Sequence, residues 1–307
     1  MLKHLFIINP TAGKTNIHER ICAEISQLGA DMDTQTYLTD APGSATRFIR
    51  EYCAKHQEPV RFYACGGDGT LHEVANGVAD FPFAAMGCYP CGSGNDFVKY
   101  YGGSQAFQNL KLLLEGTETP IDLIRANDRY AINAVHFGFD SCVAAHMAKL
   151  RRTPVIGGKN AYPTSVAIGL IKGMKTECTV EADGIVLNPS GKLLLCTLCN
   201  GQYVGGSYRC APRSYNNDGY IEVCIANTLS HLRFLKIMGH YQKGTHLDDS
   251  RFEDVFIYRQ AKHIRVTAKE GFIYAMDGEL FEKSEIEVQV MAAKTRFVLP
   301  EGARRIA

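Results

Sequence analysis

Three glycine-containing loops hold the polar residues of this sequence whose types and spacing are best suited to chemistry. In GGDGT, residues 66–70, the glycines Gly66, Gly67 and Gly69 enclose a single carboxylate, Asp68. Glycines let the backbone approach a phosphate closely, and a carboxylate bridged by Mg²⁺ can hold a phosphate that a bare one would repel. The loop therefore indicates a metal-assisted phosphate site. The alternative is a tight turn with the aspartate in a left-handed conformation.

The other two loops also offer groups that could bind phosphates. In NPTAGKT, an amide, a hydroxyl, a backbone N–H and an ammonium group come from Asn9, Thr11, Gly13 and Lys14. The loop PCGSGNDF, residues 90–97, contributes Ser93, Gly94, Asn95 and Asp96. Two common nucleotide motifs do not match, because Ile8 replaces the first glycine of a Walker A loop and His72 replaces the third glycine of the dinucleotide fingerprint.

The surrounding elements predict how these loops are positioned. Up to about residue 120, strand-like runs such as 5–9, 61–65 and 83–89 alternate with helical patterns, the last of them over about 104–115. Thr70 and Glu73 have capping-box spacing, which places a helix start at GGDGT. The alternation implies a mostly parallel sheet flanked by helices, with the loops gathered at its carboxyl edge.

From about residue 129 the pattern becomes mainly β, with short runs divided by Gly, Asn, Asp and Pro. Helical stretches interrupt it at about 161–174 and 230–243. We therefore expect an α/β nucleotide-binding domain over 1–125 and a β-rich substrate domain over 126–299. The tail 300–307 is expected to return to the first domain.

Composition excludes several classes of protein. The net charge of +1 gives no global field that would attract nucleic acid. Apolar runs fall far short of the roughly 18 residues that a spanning helix needs, and the N-terminal stretch lacks the pattern of a signal peptide.

The cysteines indicate a reducing compartment. Their odd count of 11, spread over the whole chain, is typical of reduced thiols in a cytoplasm. Two CxxC pairs, Cys88/Cys91 and Cys196/Cys199, would have to combine to hold zinc. Because they lie about a hundred residues apart, and residues three apart on a strand point to opposite faces, core thiols are the favoured interpretation.

The motifs NPTAGK, GGDGT and PCGSGNDF, in this order and at these separations, resemble the catalytic domain of the diacylglycerol kinase and sphingosine kinase superfamily. The resemblance covers nearly the whole chain and is closest to the soluble bacterial lipid kinases of diacylglycerol kinase type. Later matching pieces are PIDL (120–123), NAVHFGFD (133–140), NGQYVGGSYRCAP (200–212), NNDGYIEV (216–223) and MDGE (276–279). NAD kinases and phosphofructokinases share GGDG but lack this set.

The resemblance implies a nucleotide-binding α/β domain like that of NAD kinases and phosphofructokinases, a β-sandwich-like lipid domain, and an active site in the cleft between them. It also implies ATP-dependent phosphorylation of a lipid hydroxyl, most readily that of diacylglycerol, with Mg²⁺. The residues expected to bind nucleotide by this match are Asn9, Thr11, Gly66, Gly67, Asp68, Gly69, Thr70, Ser93, Gly94 and Asn95. With Gly13 and Lys14 of the first loop, they form the predicted nucleotide site.

The same match implies roles for the carboxylates. Asp68, Asp96 and Asp122 would organise a catalytic magnesium. Asp277 would act as the base on the lipid hydroxyl, with Glu279 in support. A structural magnesium would lie at Asp218, with backbone carbonyls near Tyr215 and Tyr220.

Alternatives from the residues alone remain. The Asp-Gly of MDGE is a strong hairpin signal, the Asp218-Gly219 pair is another, and Asp122 could be a cap or a surface residue. At the level of function, the alternatives are a soluble-substrate kinase such as an NAD kinase, or a nucleotide-binding regulator without catalysis.

A lipid substrate implies a cytoplasmic protein that works peripherally at the inner face of a membrane. The segment KLRRTPVIGGK, residues 149–159, sets basic residues beside apolar ones and is the predicted membrane contact; the alternative is a solvated loop. A homodimer formed through a sheet edge is the one assembly we consider.

Overall fold

The computed structural model describes residues 2–13, 16–28, 32–150 and 174–306. Its N-terminal half contains a parallel sheet in the order β2-β1-β3-β4. The strands are β1 (Lys3–Ile8), β2 (Asp33–Leu38), β3 (Val60–Gly66) and β4 (Ala84–Pro90). Nearly every residue of β1, β3 and β4 is buried, as expected for parallel strands covered on both faces.

Helices connect these strands. They are α1 (Ile17–Ser26), α2 (Ser44–Lys55), α3 (Asp68–Val78), α4 (Asp96–Lys99) and α5 (Leu110–Leu114), with a 3-10 turn at Ala106–Gln108. The helix predicted over about 104–115 is thus divided, because Asn109 caps α5 by accepting the N–H of Leu112.

The capping box predicted for Thr70 and Glu73 is wrong, because Glu73 caps a different helix. Glu73 does not cap its own helix, since its carboxylate accepts the backbone N–H groups of Gly43 and Ala45 at 2.9 and 3.0 Å. These N–H groups lie at the start of α2, whose N-cap residue is Gly43, and so have no acceptor within the helix. Glu73 therefore joins α3 to α2 at the loop edge of the sheet.

The rest of the described chain is mainly β. Its elements are β5 (Thr117–Ala126), β6 (Arg129–Ala131), β7 (Ala134–Gly138), α6 (Phe139–Leu150), β8 (Thr176–Ala182), β9 (Ile185–Val186), β10 (Lys192–Leu193), β11 (Leu195–Cys199), β12 (Ile221–Ala226), α7 (His231–Lys243), a 3-10 turn (Ser250–Phe252), β13 (Phe256–Ala261), β14 (His263–Ala268), β15 (Ile273–Met276), β16 (Glu279–Glu282) and β17 (Glu285–Leu299). The predicted helix over 161–174 lies almost wholly outside the described residues.

Two sheets result. One has the order β13-β12-β11-β7-β15-β16 and is antiparallel. The other is continuous from β10-β8-β14 through β17 into β4-β3-β1-β2. Apolar side chains from both sheets, among them Val180, Leu198, Val223 and Val288, form a shared buried cluster. The fold is thus an α/β layer joined to a β-sandwich, as expected.

Strand β17 joins the two halves. It pairs with β14 through Glu285–Gln289, with β5 along most of its length, and with β4 in parallel at Phe297–Met86. The tail after it lies against the N-terminal half, where the N–H of Ile306 donates to the carbonyl of Tyr100 at 2.9 Å. The division at 125/126 stays a prediction, and one sheet crosses it.

The cysteines form no disulfide bonds, and most of them are buried. All 11 cysteines are free, and Cys196 and Cys199 belong to different buried clusters on opposite faces of β11. Among the helices in the described ranges, none combines the length and the apolar character needed to cross a membrane.

Candidate active site

The three predicted loops meet at one edge of the parallel sheet. Asn9 Nδ2 donates to Thr70 Oγ1 at 3.4 Å, which joins the first loop to the second. The N–H groups of Cys91 and Gly92 donate to the carbonyl of Gly66 at 2.7 and 3.3 Å, which joins the second loop to the third. Thr11 completes the first loop by donating its hydroxyl to Asn9 Oδ1 at 2.8 Å.

Glycine is required where the second and third loops cross. A Cβ on Gly92 would lie 2.5 Å from Gly67 Cα, and a Cβ on Gly94 would lie 2.6 Å from Asp68 Oδ2. Neither distance allows a side chain without moving backbone or carboxylate. The glycines therefore bring the two loops into direct contact and leave room for the Asp68 side chain.

Asp68 and Asp96 form a carboxylate pair at this crossing. Asp68 Oδ1 accepts the backbone N–H of Asp96 at 2.6 Å. Burial raises the pKa of Asp68 to about 6, and the charges of Asp96 and Asp277 add to this effect. Asp96 has its own partners, Lys99 Nζ at 2.7 Å and the N–H of Gly206 at 3.0 Å. Within the described residues, Asp68 makes no ion pair.

This donor set fits a magnesium ion that arrives with a nucleotide. Protein Mg²⁺ sites typically use one or two carboxylates, with substrate phosphates and waters as the other ligands. Across the described ranges, no three His, Cys, Asp or Glu side chains are grouped to hold a metal alone. Asp68 and Asp96 are the side chains that would hold the ion, and phosphate oxygens would complete its coordination.

Asp277 is held on the opposite side of the cleft by backbone donors. It occupies the turn between β15 and β16 in the left-handed region, with φ 48°. Oδ1 accepts the N–H groups of Asn133 and Ala134, each at 3.0 Å, and Oδ2 accepts that of Ile132 at 2.9 Å. The strong hairpin signal of Asp-Gly is correct, and the turn also directs a carboxylate into the cleft.

His72 contacts Asp277 but is not among the site residues predicted from the sequence. Its Nδ1 lies 2.9 Å from Asp277 Oδ2 and fills the fourth acceptor position of that carboxylate. Burial acts to lower the pKa of His72, but the hydrogen bond and charge of Asp277, with the charge of Glu279, outweigh it and raise the pKa. The available signal was spacing, because His72 follows Asp68 by four residues on α3 and so shares its face.

Glu279 completes this group from β16. Its Oε2 lies 3.8 Å from His72 Nε2, and its side chain is 38% exposed. Asn76, one turn after His72, donates to the carbonyls of His72 and Tyr130 at 2.9 and 2.7 Å. His72 therefore lies between the two halves of the molecule.

Asp122 makes its described contacts elsewhere, so its predicted grouping with Asp68 and Asp96 stays a prediction. Its carboxylate accepts the N–H groups of Gly219 and Ala293, each at 2.7 Å. Ala293 lies where the register of β17 shifts against β5. Asp122 is buried and fastens the 216–219 turn to that irregularity, because both N–H groups lack a ladder partner there.

Asp218 lies beside Asp122 in this second region. Its Oδ1 accepts the N–H of Tyr220 and its Oδ2 accepts Gln260 Nε2, each at 3.0 Å. Burial raises the pKa of Asp218, and the charge of Asp122 contributes. Tyr215 and Tyr220 flank the turn with exposed rings. Both carboxylate oxygens of Asp218 thus already accept hydrogen bonds. The structural magnesium at this site stays a prediction.

One cavity of about 950 Å³ connects the carboxylates with an apolar chamber. The predicted site residues that line it are Gly67, Asp68, Gly69, Ser93, Gly94, Asp96, Asp277 and Glu279. The chamber walls include Phe139, Val143, Leu194, Leu195, Phe234, Ile237 and Met238. Two titratable side chains that the sequence analysis gave no role, His136 and Asp140, also line it.

Not every predicted residue reaches this cavity. Asn9, Thr11, Gly13, Gly66, Thr70 and Asn95 support the loops and are not among its described lining residues. Lys14 and nearly all of the predicted membrane segment 149–159 lie outside the part of the chain that the structure describes.

The sequence matches two family models. Residues 3–126 match the diacylglycerol kinase catalytic domain. Residues 133–298 match the YegS C-terminal NAD kinase beta sandwich-like domain. Together they span both halves of the fold described above.

Similar proteins agree with this match. The diacylglycerol kinase of Bacillus subtilis (strain 168) is 28% identical over 291 residues, covering 91% of this chain and 90% of that protein. The diacylglycerol kinase of Staphylococcus carnosus (strain TM300) is 28% identical over 284 residues, covering 89% and 87%. The crystal structure of a diacylglycerol kinase from Bacillus anthracis str. Sterne shares the fold, with a TM-score of 0.71 at 19% identity and 98% coverage of both chains. The chain therefore belongs to the family of lipid kinases that combine a diacylglycerol kinase catalytic domain with a YegS-type C-terminal domain.

Proposed function

We propose that the protein transfers the γ-phosphate of ATP to the hydroxyl of an uncharged lipid, with diacylglycerol as the first candidate. The observation that carries this proposal is the continuity of the cavity, whose lining runs from Asp68 and Asp277 to the apolar chamber. A phosphate donor and a water-insoluble alcohol can therefore reach the same carboxylates. A cavity of this size is in the range of small-molecule sites.

The charge of the lining supports an uncharged acceptor. The described lining residues include five carboxylates, Asp68, Asp96, Asp140, Asp277 and Glu279, and neither lysine nor arginine. An acceptor that carried its own phosphate, without the Mg²⁺ that would accompany a nucleotide, would be repelled by those carboxylates that are ionised, because charges interact strongly where water is scarce. Diacylglycerol is therefore favoured over an anionic lipid such as phosphatidylglycerol.

Phosphoryl transfer depends mostly on positioning and on neutralising charge. The glycine loops offer backbone N–H groups near the start of α3, where anions are favoured. A bound Mg²⁺ would offset the negative charge of the phosphates and of Asp68. Asp96, already held by Lys99 and Gly206, keeps Asp68 in place through its backbone N–H.

Asp277 is the proposed base for the lipid hydroxyl. Three of its four acceptor positions are filled by backbone N–H groups, and the fourth is filled by the side chain of His72. Because a side chain can move and a backbone turn cannot, the hydroxyl is expected to bind where His72 now donates. Asp277 would then take the hydroxyl proton, with Glu279 near the imidazole.

The test is phosphate transfer from radiolabelled ATP to diacylglycerol, phosphatidylglycerol, sphingosine and NAD, with wild type and Asp277→Asn. Removing a general base lowers turnover by about 10²–10⁴-fold, so we expect at least a hundredfold loss on diacylglycerol. Phosphorylation of NAD alone would make this a soluble-substrate kinase, and no transfer to any acceptor would favour a regulator.

Asp183→Asn is a matched control. Asp183 is also a left-handed Asp before Gly in a hairpin, with φ 48°, and its carboxylate accepts the N–H groups of Lys262 and His263. It is absent from the described cavity lining. Its variant is expected to lose stability but to keep turnover. Equal turnover of Asp277→Asn and wild type would refute the assignment of the base.

A further inference from the structure

Helix α7 is apolar on two opposite faces. Its inner face supplies Phe234, Ile237, Met238 and Tyr241 to the wall of the chamber. Its outer face carries Leu232 and Leu235, which are 76% and 62% exposed. These two are the most exposed large hydrophobic side chains in the described part of the chain. The two leucines therefore form an apolar patch that no described residue covers.

The outer face is also basic. Leu232, Leu235, Lys236, Gly239 and Lys243 are exposed at spacings of three and four residues, so they share one side of the helix. The helix has no Asp or Glu. Lys236 and Lys243 make no ion pair with the described residues.

Nearby carboxylates do not cancel this charge. Asp254 is paired with Arg233 of the same helix at 2.7 Å, and Asp249 is paired with Arg251 at 2.9 Å. Exposed leucines beside free lysines are the features of a helix that lies in the interface of an anionic membrane. An exposed apolar pair flanked by lysines suits such a bilayer better than a neutral protein surface.

We propose that the outer face of α7 rests on the surface of a bilayer that contains anionic lipids. The helix would then separate the bilayer from the chamber, with Leu232 and Leu235 in the lipid and Phe234 and Ile237 in the chamber wall. The purpose of this placement rests on the proposed lipid kinase function. The contact itself depends only on the exposed residues.

The test is sedimentation with sucrose-loaded vesicles of phosphatidylcholine, with and without phosphatidylglycerol, in the absence of ATP. We expect Leu232→Gln/Leu235→Gln to bind the anionic vesicles at least about tenfold more weakly. We expect Lys236→Glu/Lys243→Glu to lose the preference for anionic vesicles, because each basic residue near such a surface contributes about fivefold.

The matched control is Ile185→Gln/Val186→Gln. Ile185 and Val186 are exposed apolar residues of a hairpin strand, at 51% and 44%, and their removal is expected to leave vesicle binding unchanged. Thermal unfolding of every variant checks that the fold is kept.

Three outcomes would overturn the proposal. They are unchanged binding by the leucine variant, an equal loss in the control, and a change in oligomeric state without a change in vesicle binding, which would make the face an interface between copies. A wild type that binds vesicles through these leucines yet phosphorylates no lipid would keep this inference and remove the proposed function.

Discussion

At the level of single residues, the carboxyl group of Asp68 lies where its own ionised form is disfavoured. Burial and the charge of Asp96 raise its pKa from 3.8 to about 6. Between these values the folded protein binds the proton more tightly than the unfolded chain does, so stability falls as pH rises through this window. Above about pH 6 the full penalty is present. Such a penalty is common where a group is kept for function rather than for stability.

We predict that Asp68→Asn stabilises the metal-free protein at pH 8 and inactivates it. The pKa change corresponds to roughly 3 kcal/mol at most, so a rise in Tm of a few degrees is expected, with at least a hundredfold loss of kinase activity. The gain should shrink between pH 8 and pH 5. Thermal unfolding at both pH values without divalent cations checks this, and a destabilised variant at pH 8 would contradict it.

At the level of elements, the crossing of the second and third loops depends on backbone contact. A Cβ on Gly92 would meet the Cα of Gly67 at 2.5 Å. Because the atom met is backbone, it cannot turn away as a side chain could. The loops that follow β3 and β4 can thus touch at this point because neither Gly67 nor Gly92 has a side chain.

We predict that Gly92→Ala lowers the free energy of unfolding by about 1–3 kcal/mol and weakens ATP binding. Gly239→Ala is the control, since a Cβ there meets no atom within 4 Å and the residue lies inside α7. It should stabilise the protein by up to about 1 kcal/mol. Urea unfolding and nucleotide titration measure both, and wild-type behaviour of Gly92→Ala would disprove the packing argument.

The sequence predicted those parts of the fold that follow from local periodicity. The alternation of apolar runs gave the parallel sheet, and the position of glycines after strands gave the loop edge. The contacts of Asp122 could not be predicted, because its partners, Gly219 and Ala293, come from segments about 100 and 170 residues away along the chain. Glu73 was misplaced for the same reason, since it caps a helix other than its own. Neither contact leaves a periodic signal.

At the level of the whole molecule, β17 makes one sheet out of the two predicted domains. It pairs with β5 along most of its length and touches β4 near its C-terminal end, while its N-terminal end pairs with β14. Residues 1–126 alone would therefore leave β5 and the edge of β4 without their partner. Unpaired edges of this kind favour aggregation over folding.

We predict that a fragment of residues 1–126 shows no cooperative unfolding transition. Co-expression with a fragment of residues 127–307 should restore one, because the strand pairing does not require the covalent link. Circular dichroism during heating and size-exclusion chromatography measure this. A fragment 1–126 that unfolds cooperatively by itself would show that the first domain folds independently of β17.

The shared strand and the chamber wall determine two different properties of the proposed active site. The backbone of β17 pairs with strands of both halves and links the sheet that carries the three glycine loops to the β-rich half. The chamber walls, by contrast, are side chains such as Phe234 and Ile237 on a helix outside both sheets. Under the proposed function, exchanging those side chains would alter which lipid tails fit the chamber and would leave the backbone that carries Asp68 and Asp277 unchanged, so tail preference could diverge among proteins of this fold.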